Sequence, residues 1–400
     1  MEPSTIDSNA DIGNIFAPPV VDDINPHYTN QIALMNNGRW AAVMGNGYNS
    51  INERPVLLVQ YLTGNDTALK TIPAVASLDN ANAKRNGLSA PRLVDINGDG
   101  TPDVVYAGDL RGNLWKFDIN SNLDTEWGVS FSGDPLYTAI KKDDASSTPQ
   151  SITAPPIVKP NDRGAMGLMV AFGTGRNITE GDRTDTSVQT IYSVLDNTSY
   201  KAKKVTTPKT QSIVVINDKV TPEPVGTGTS KLVEHTVGSK TTGSGTSAGV
   251  NFWKVSNEDV KFTGDESKKG WFMHFPSTGA RLLQGINFYD GSNILEIIYT
   301  IPGSGGSTEE ESCAPSPKDQ QKFRALLNIM DGKIPSVKIV DTNGDGLYNS
   351  NDESVGIMNA PITESRTFSK TKEIRTGKNS TMEFAKMPES PLRPSWRQLQ

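Results

Sequence analysis

The chain has 400 residues, with 21% charged residues, 35% hydrophobic residues and a formal net charge of -6. This charge balance argues against nucleic acid as a partner, because phosphate neutralisation needs clustered Lys and Arg. A lone cysteine, Cys313, excludes an internal disulfide and a cysteine-based zinc site. The longest apolar runs, such as residues 294–301, have the length of a strand and are too short to span a membrane.

Short strands recur along the chain, separated by turns rich in Gly, Asn and Asp, and helical periodicity is scarce. Residues 31–35 and 39–44 predict a hairpin through the Asn36-Asn37-Gly38 turn. Residues 318–330 fit a helix and a strand equally well. Other strands are predicted at 55–62, 104–107, 114–119, 136–140, 154–158, 167–172, 189–195, 271–275, 281–288 and 294–301.

The segment LVDINGDGTPDVVYAGDLRGNLWKFDI, residues 93–119, contains the first candidate metal site. Short oxygen-bearing side chains alternate along its first half, and Gly100 stands where the loop must turn sharply. Hard cations such as Ca²⁺ prefer six to eight oxygen ligands, which such a loop supplies. The predicted ligands are the side chains of Asp95, Asn97, Asp99 and Asp103 and the carbonyl of Thr101. The following residues predict a β-hairpin, so this loop differs from an EF-hand, which is flanked by helices.

A second loop repeats the pattern near the C-terminus, with Gly346 at the turn. Its predicted ligands are the side chains of Asp341, Asn343, Asp345, Asn349 and Asp352 and the carbonyl of Leu347. The preceding SVKIVD predicts a strand, and no helix is predicted after the loop. Either loop alone is also compatible with a metal-free turn, because Asn, Asp and Gly dominate turns. The agreement of both loops favours Ca²⁺ bound at one or both.

Two segments share the order strand, Gly-containing turn, strand, and final Asp: residues 106–119 and 172–196. Imperfect repeats of this kind are typical of propeller blades. We therefore expect an all-β fold, a β-propeller over residues 28–390. A lead-in of residues 1–27 and a tail of residues 391–400 would flank it, with mobile insertions at about 225–249 and 302–320. The polar, Pro-rich start suggests a piece of a longer protein.

No catalytic constellation emerges from the sequence. The GTSAG string at 245–249 matches G-x-S-x-G, but a nucleophile elbow needs a strand before it and a helix after it. The three histidines, His27, His235 and His274, have no neighbours at ligand spacing and are interpreted as solvated or locally hydrogen-bonded. No Walker loop, Rossmann fingerprint or H-E-x-x-H motif occurs. We predict a protein that is not an enzyme.

Five blocks occur in an order that resembles the C-terminal region of the PilY/PilC family of type IV pilus tip and biogenesis proteins. They are GRWAAVMGNGYNS (38–50), LSAPRLVDINGDGTPDVVYAGDLRGNLWKFD (88–118), ITAPPIV (152–158), VAFGTGRNITEGD (170–182) and SWRQLQ (395–400). The resemblance implies a modified, quinoprotein-like β-propeller with long loop insertions. It also implies a calcium site in the first loop that governs pilus extension and retraction, twitching motility and surface attachment.

The same resemblance implies where the protein acts and with what. Its expected location is the bacterial cell surface, exported to the pilus tip and associated with the outer membrane. Its expected partners are minor pilins of the tip complex and the host-cell surface. The chain lacks the Arg-Gly-Asp triplet of some family members, so integrin binding through that triplet is not predicted. The second loop is closer to a dockerin-type loop, and residues 200–270 and 303–360 fit the family pattern poorly.

Two other functions remain open at this point. A related propeller could be a quinone-dependent dehydrogenase, although adjacent cysteines and a nameable base are missing from the sequence. A third alternative is an adhesive module for host receptors or glycans. Fold similarity by itself does not decide among these.

Overall fold

The computed structural model describes residues 10–21, 29–62, 69–142, 147–202, 213–216, 220–303, 320–360, 363–377 and 381–387. Within these ranges the chain is built almost entirely from short strands. The first half contains β1 (Ile32–Leu34), β2 (Trp40–Gly45), β3 (Val56–Tyr61), β4 (Leu69–Pro73), β5 (Arg92–Val94), β6 (Val104–Gly108), β7 (Asn113–Asp118), β8 (Gly128–Val129), β9 (Tyr137–Thr138), β10 (Ile157–Pro160), β11 (Leu168–Gly173), β12 (Thr190–Asp196) and β13 (Ser199–Ala202).

The second half continues in the same style, and the α-helix of the described residues is the short α1 (Glu180–Thr184) between β11 and β12. The remaining strands are β14 (Ile213–Ile216), β15 (Gly226–Thr227), β16 (Val233–His235), β17 (Val237–Thr242), β18 (Asn251–Val255), β19 (Gly270–His274), β20 (Asn287–Phe288), β21 (Ile294–Ile301), β22 (Gln321–Asn328), β23 (Ile357–Ala360), β24 (Thr363–Phe368), β25 (Lys372–Gly377) and β26 (Thr381–Ala385). No described helix has the length and apolar character needed to cross a bilayer.

Most of these strands form four sheets that follow the order of the chain. The first sheet has the order β1-β2-β3-β4, and the second has β15-β9-β7-β6-β5 with β8 beside β7. The third sheet has the order β10-β11-β12-β19-β16, and the fourth has β17-β18-β23-β22-β21-β20. A separate hairpin pairs β13 with β14, and β24-β25-β26 form a C-terminal sheet.

Successive side chains of a strand point to opposite faces, and in the inner sheets both faces are buried against neighbouring sheets. In β6, Val105 packs in the cluster that joins the second sheet to the first, which includes Val43 and Val59. The adjacent Tyr106 points the other way, into the cluster that joins the second sheet to Phe172 of the third. One strand therefore serves two neighbouring cores. The sheets therefore pack face to face in series, as propeller blades do.

The same arrangement continues to the end of the chain. Ile191 of the third sheet packs in one cluster with Ile297 of the fourth. Leu326 on the other face of the fourth sheet packs with Met382 and Phe384 of the C-terminal sheet. The C-terminal sheet is therefore part of the layered core, although residues from 366 onward are polar in sequence.

A buried charge cluster also fastens the C-terminal sheet to the fourth sheet. The Arg324 guanidinium lies 2.8 Å from Glu296 and 3.1 Å from Glu373, and all three side chains are at most 3% exposed. Arg366 and Arg375 donate to Glu373 at 2.5 and 2.6 Å. Burial opposes ionisation of Glu373, but the nearby guanidinium groups of Arg324, Arg375 and Arg366 outweigh it and lower the pKa of Glu373.

Several predictions of local structure need correction. Residues 321–328 form strand β22, which decides the open choice between helix and strand. The segment 225–249 was expected to be a mobile insertion, but it contributes β15, β16 and β17, each paired with another strand. Of residues 281–288, only Asn287–Phe288 form a strand, and Arg281 makes an isolated bridge to Thr300.

Of the predicted domain plan, the structure does not describe residues 1–9, 22–28, most of the insertion at 302–320 or the tail at 391–400. It also does not describe the shorter stretches 63–68, 143–146, 203–212, 217–219, 361–362, 378–380 and 388–390 of the predicted propeller.

Candidate calcium-binding loops

The first loop connects β5 to β6 at the edge of the second sheet. Asp95 and Asp99 are exposed at its tip, whereas Asp103 is fully buried where β6 begins. Gly98 and Gly100 have φ angles of 74° and 87°, in the left-handed region that favours glycine. The sequence thus places glycine where the loop reverses direction.

The carboxylate of Asp95 organises this loop. It accepts hydrogen bonds from the backbone N–H groups of Gly98 at 2.7 Å and of Gly100 at 2.7 Å. Asn97 Oδ1 accepts from Asp99 N at 2.9 Å, and Asp99 Oδ1 accepts from Thr101 N at 3.0 Å. Asp95, Asn97 and Asp99 therefore each hold the backbone a few residues further on, which fixes the turn.

The second loop repeats this pattern bond for bond. Asp341 accepts from Gly344 N at 2.6 Å and from Gly346 N at 2.8 Å. The two corresponding Asx bonds are also present: Asn343 Oδ1 accepts from Asp345 N at 2.9 Å, and Asp345 Oδ1 accepts from Leu347 N at 2.8 Å. Gly344 and Gly346 have φ angles of 76° and 81°. The two loops share one backbone design although they lie in different parts of the chain.

The last acid of each loop closes it in the same way. Asp103 accepts from Ile96 N at 2.9 Å, and Asp352 accepts from Thr342 N at 2.8 Å. Ile96 and Thr342 both directly follow the first Asp of their loop. The second loop has three more residues before its closing acid, and there Asp352 also accepts from Asn349 N at 2.9 Å. Asp103 and Asp352 are thus equivalent, at positions 9 and 12 of their loops.

A residue that the sequence analysis treated only as part of a turn ties the first loop to the first sheet. Asn36 is buried, and its Nδ2 donates to the carbonyls of Pro102 at 2.8 Å and Ile119 at 3.2 Å. Its Oδ1 accepts from Thr101 Oγ1 at 3.1 Å. The sequence places Asn36 in the turn between β1 and β2. The neighbouring residues give no indication that it contacts Thr101, 65 residues further along the chain.

The second loop has a support of its own, formed by the GTSAG segment and by Ser244, which precedes it. Ser247 Oγ donates to the Asp341 carbonyl at 2.5 Å, and Ser244 Oγ donates to the Asn343 carbonyl at 2.8 Å. A Cβ on Gly245 would lie 2.6 Å from the Gly344 carbonyl oxygen, so the two segments are in close contact. These serines hold a loop, and although β17 precedes the segment, strand β18 and not a helix follows it, so it does not form an elbow.

Other sequence predictions around the loops have mixed outcomes. The strand predicted before Asp341 is reduced to an isolated bridge between Val340 and Phe384. The histidine interpretation agrees with the structure: His235 contacts the carbonyls of Asp331 and Ser256 at 2.7 and 3.0 Å, and His274 contacts Thr190 Oγ1 at 2.8 Å. His27 lies outside the described residues.

The donor chemistry of both loops suits a hard cation, because all of the predicted ligand atoms are oxygens. Within the described part of the chain, no three His, Cys, Asp or Glu side chains converge as a metal-binding group. The carboxylates are instead turned toward backbone N–H groups. A carboxylate offers about four lone-pair sites, so one that accepts two or three N–H groups can still bind a cation.

Comparisons with known proteins now bear on the family. Residues 24–220 match the family model described as the PilY1 beta-propeller domain. The chain contains a PilY1 β-propeller domain. The resemblance inferred from the sequence blocks is confirmed, and so is the all-β propeller class.

Relatives of PilY1 extend the comparison. The chain is 36% identical over 223 residues to the type IV pilus biogenesis factor PilY1 of Pseudomonas aeruginosa PAO1, covering 51% of this chain and 17% of that protein. It is 34% identical over 177 residues to a PilY1 homolog of Xylella fastidiosa Temecula1, covering 42% of this chain and 12% of that protein. The chain thus spans only a small part of the length of these relatives.

A solved structure supports the fold over nearly the whole chain. The crystal structure of the Pseudomonas aeruginosa PilY1 C-terminal domain superposes with a TM-score of 0.69 at 22% identity, covering 96% of this chain and 74% of that one. The similarity therefore includes the second half of the chain, beyond the residues that the PilY1 family model matches.

Proposed function

We propose that this chain is the calcium-binding, non-enzymatic propeller of a type IV pilus tip-associated protein that acts in pilus biogenesis. The PilY1 domain and the names of its relatives support the pilus role. The observation that supports calcium is the shared hydrogen-bond pattern of the two oxygen-rich loops. On this proposal the protein is exported to the cell surface, where it contacts minor pilins of the tip complex.

The proposed mechanism begins with charge repulsion in the first loop. Asp95, Asp99 and Asp103 place three carboxylates within nine residues. Like charges at close range oppose one another, and a divalent cation with an oxygen shell neutralises them. Asp103 and Asn36 connect the loop to two sheets, so occupancy would stabilise the sheet edge that a partner meets. Calcium would thereby bias pilus extension over retraction and affect twitching motility and surface adhesion.

Calcium stoichiometry tests this proposal directly. Isothermal titration calorimetry of the wild type should show one ion per loop, and Asp103→Ala and Asp345→Ala should each remove the site of their own loop. In a bacterium that carries the gene, Asp103→Ala should impair twitching motility. The proposal is wrong if the wild type binds no Ca²⁺, or if Asp103→Ala binds it normally and leaves motility intact.

A further inference from the structure

A cleft apart from both loops gathers basic side chains on an otherwise acidic protein. It has a volume of about 300 Å³ and lies beside the turns that follow β6 and β11. Among the residues that the structure describes, Arg85, Arg111, Lys141 and Arg176 line it, and Asp185 is the one acidic residue of the lining. The chain as a whole carries a net charge of -6. Cations concentrated in a cleft produce a positive electrostatic potential there, which attracts anionic ligands.

Three of these cations, Arg85, Arg111 and Lys141, form no direct ion pair among the described residues, whereas Arg176 pairs with Asp182 at 2.7 Å. Lys141 does interact with Asp185 through its charge: burial raises the pKa of Asp185, but hydrogen bonds from Ser187 and the charge of Lys141 outweigh it and lower that pKa. Arg111 Nε is buried and has no hydrogen-bond partner. A buried donor of this kind costs free energy unless something accepts its hydrogen bond. The arrangement therefore leaves basic donors available for an acceptor from outside the chain.

An unused acceptor faces the same cleft. Gln189 is 7% exposed, and its Oε1 has no hydrogen-bond partner, while its Nε2 donates to Ser187 Oγ at 2.9 Å. A ligand that satisfies the whole site thus carries an anionic acceptor for Arg111 and an N–H or O–H donor for Gln189. A peptide containing Glu or Asp side chains supplies both.

The cleft wall is held rigid from behind. Arg281 is buried, and its guanidinium donates to the carbonyls of Arg176 at 2.9 Å, Asp182 at 2.5 Å and Asp185 at 2.6 Å. These three bonds fix the loop that carries Arg176 and Asp185. A preorganised site loses less conformational entropy on binding.

We propose that this cleft binds an acidic peptide segment of a partner protein, with Arg111 and Lys141 contacting its carboxylates. The lining offers Leu110 and Pro149 as apolar contacts, and its described residues include no aromatic ring on which a sugar could stack. The volume is at the small end of ligand sites, about the size for one or two side chains. This proposal does not depend on the calcium function.

The test uses a fluorescent tetraglutamate peptide, capped at both ends, in a polarisation titration. Binding is expected to weaken as salt rises from about 50 mM to about 300 mM, because the attraction is electrostatic. Arg111→Gln/Lys141→Gln should weaken it by about tenfold or more, since charged hydrogen bonds are lost. The matched control is Lys240→Gln/Lys370→Gln, which removes the same charge from exposed positions outside the cleft and should bind as the wild type does.

Three results would overturn the proposal: no peptide binding, equal binding by the cleft variant and the wild type, or binding of sialyllactose in place of the peptide. The melting temperature of each variant checks its folding. If the double variant does not fold, Arg85→Gln replaces it, because Arg85 is exposed and its loss leaves the core intact. Failure here leaves calcium stoichiometry unaffected, so the two proposals are judged separately.

Discussion

Asp103 and Asp352 perform the same task in two different loops. Each accepts the N–H group of the residue that follows the first Asp of its loop, at 2.9 Å for Asp103 and 2.8 Å for Asp352. Both side chains are nearly inaccessible, at 0% and 4% exposure. The equivalence is structural and not positional, because the second loop reaches its closing acid three residues later.

Substitution of Asp103 should separate charge from hydrogen bonding. Asp103→Asn keeps an oxygen that can accept the part-buried Ile96 N–H, whereas Asp103→Ala leaves that N–H without this acceptor. Without calcium, Asp103→Ala should lose about 1 kcal/mol of unfolding free energy relative to Asp103→Asn, the net contribution of one hydrogen bond. Urea unfolding in EDTA measures this difference. Both variants should bind calcium more weakly than the wild type in calorimetry; wild-type affinity in Asp103→Asn would contradict the role of its charge.

The GTSAG segment should support the second loop only. Ser247→Ala removes the hydroxyl that holds the Asp341 carbonyl, so it should lower calcium affinity at that loop by a few-fold, about the worth of one hydrogen bond. Affinity at the first loop should stay unchanged. Ser239→Ala, an exposed serine of β17, is the matched control. The prediction is wrong if Ser247→Ala changes both loops equally.

The charge cluster under the C-terminal sheet should make stability sensitive to acid. The pKa of Glu373 lies below its ordinary value of 4.5 in the folded protein, so the ionised form stabilises the fold. That contribution is fully present above the unfolded pKa and is lost as the pH falls through the folded pKa. Glu373→Gln should therefore be less stable than the wild type at neutral pH, and the gap should narrow below pH 4.5.

Denaturant unfolding at a series of pH values measures this gap. Glu266→Gln is the control, since Glu266 is 85% exposed in its pair with Lys261 and a surface pair contributes little. A gap between wild type and Glu373→Gln that stays constant from neutral to acidic pH would rule out the proposed contribution of the ionised carboxylate.

Asn36 should matter to the first loop as much as the loop's own residues do. Asn36→Ala leaves the carbonyls of Pro102 and Ile119 without their amide donor, so it should cost about 1–3 kcal/mol in unfolding free energy. It should also weaken calcium binding at the first loop. Asn37→Ala removes a part-buried amide that donates to Tyr61 and should leave calcium binding unchanged.

Local sequence signals predicted much of this molecule. Alternating apolar residues located β6 and β7, and the Asp, Asn and Gly spacing identified two loops that share one hydrogen-bond pattern. Both the strands and the loops depend on patterns that span only a few neighbouring residues, so the sequence alone is enough to locate them.

Long-range pairing could not be predicted in this way. The Gly-, Ser- and Thr-rich β17 has little intrinsic strand preference and is held by its pairing with β18. The contact between Asn36 and Thr101 and the unpaired cations of the cleft likewise depend on which turns the fold brings together.

Asn36 also determines which part of the fold would respond to a bound ion. Its side-chain amide links the first loop to the first sheet, so an ion in the loop would stabilise the contact between the first and second sheets. Loss of the ion would then make the backbone on both sides of that contact more mobile. Faster amide hydrogen exchange at residues 33–44 would report this change.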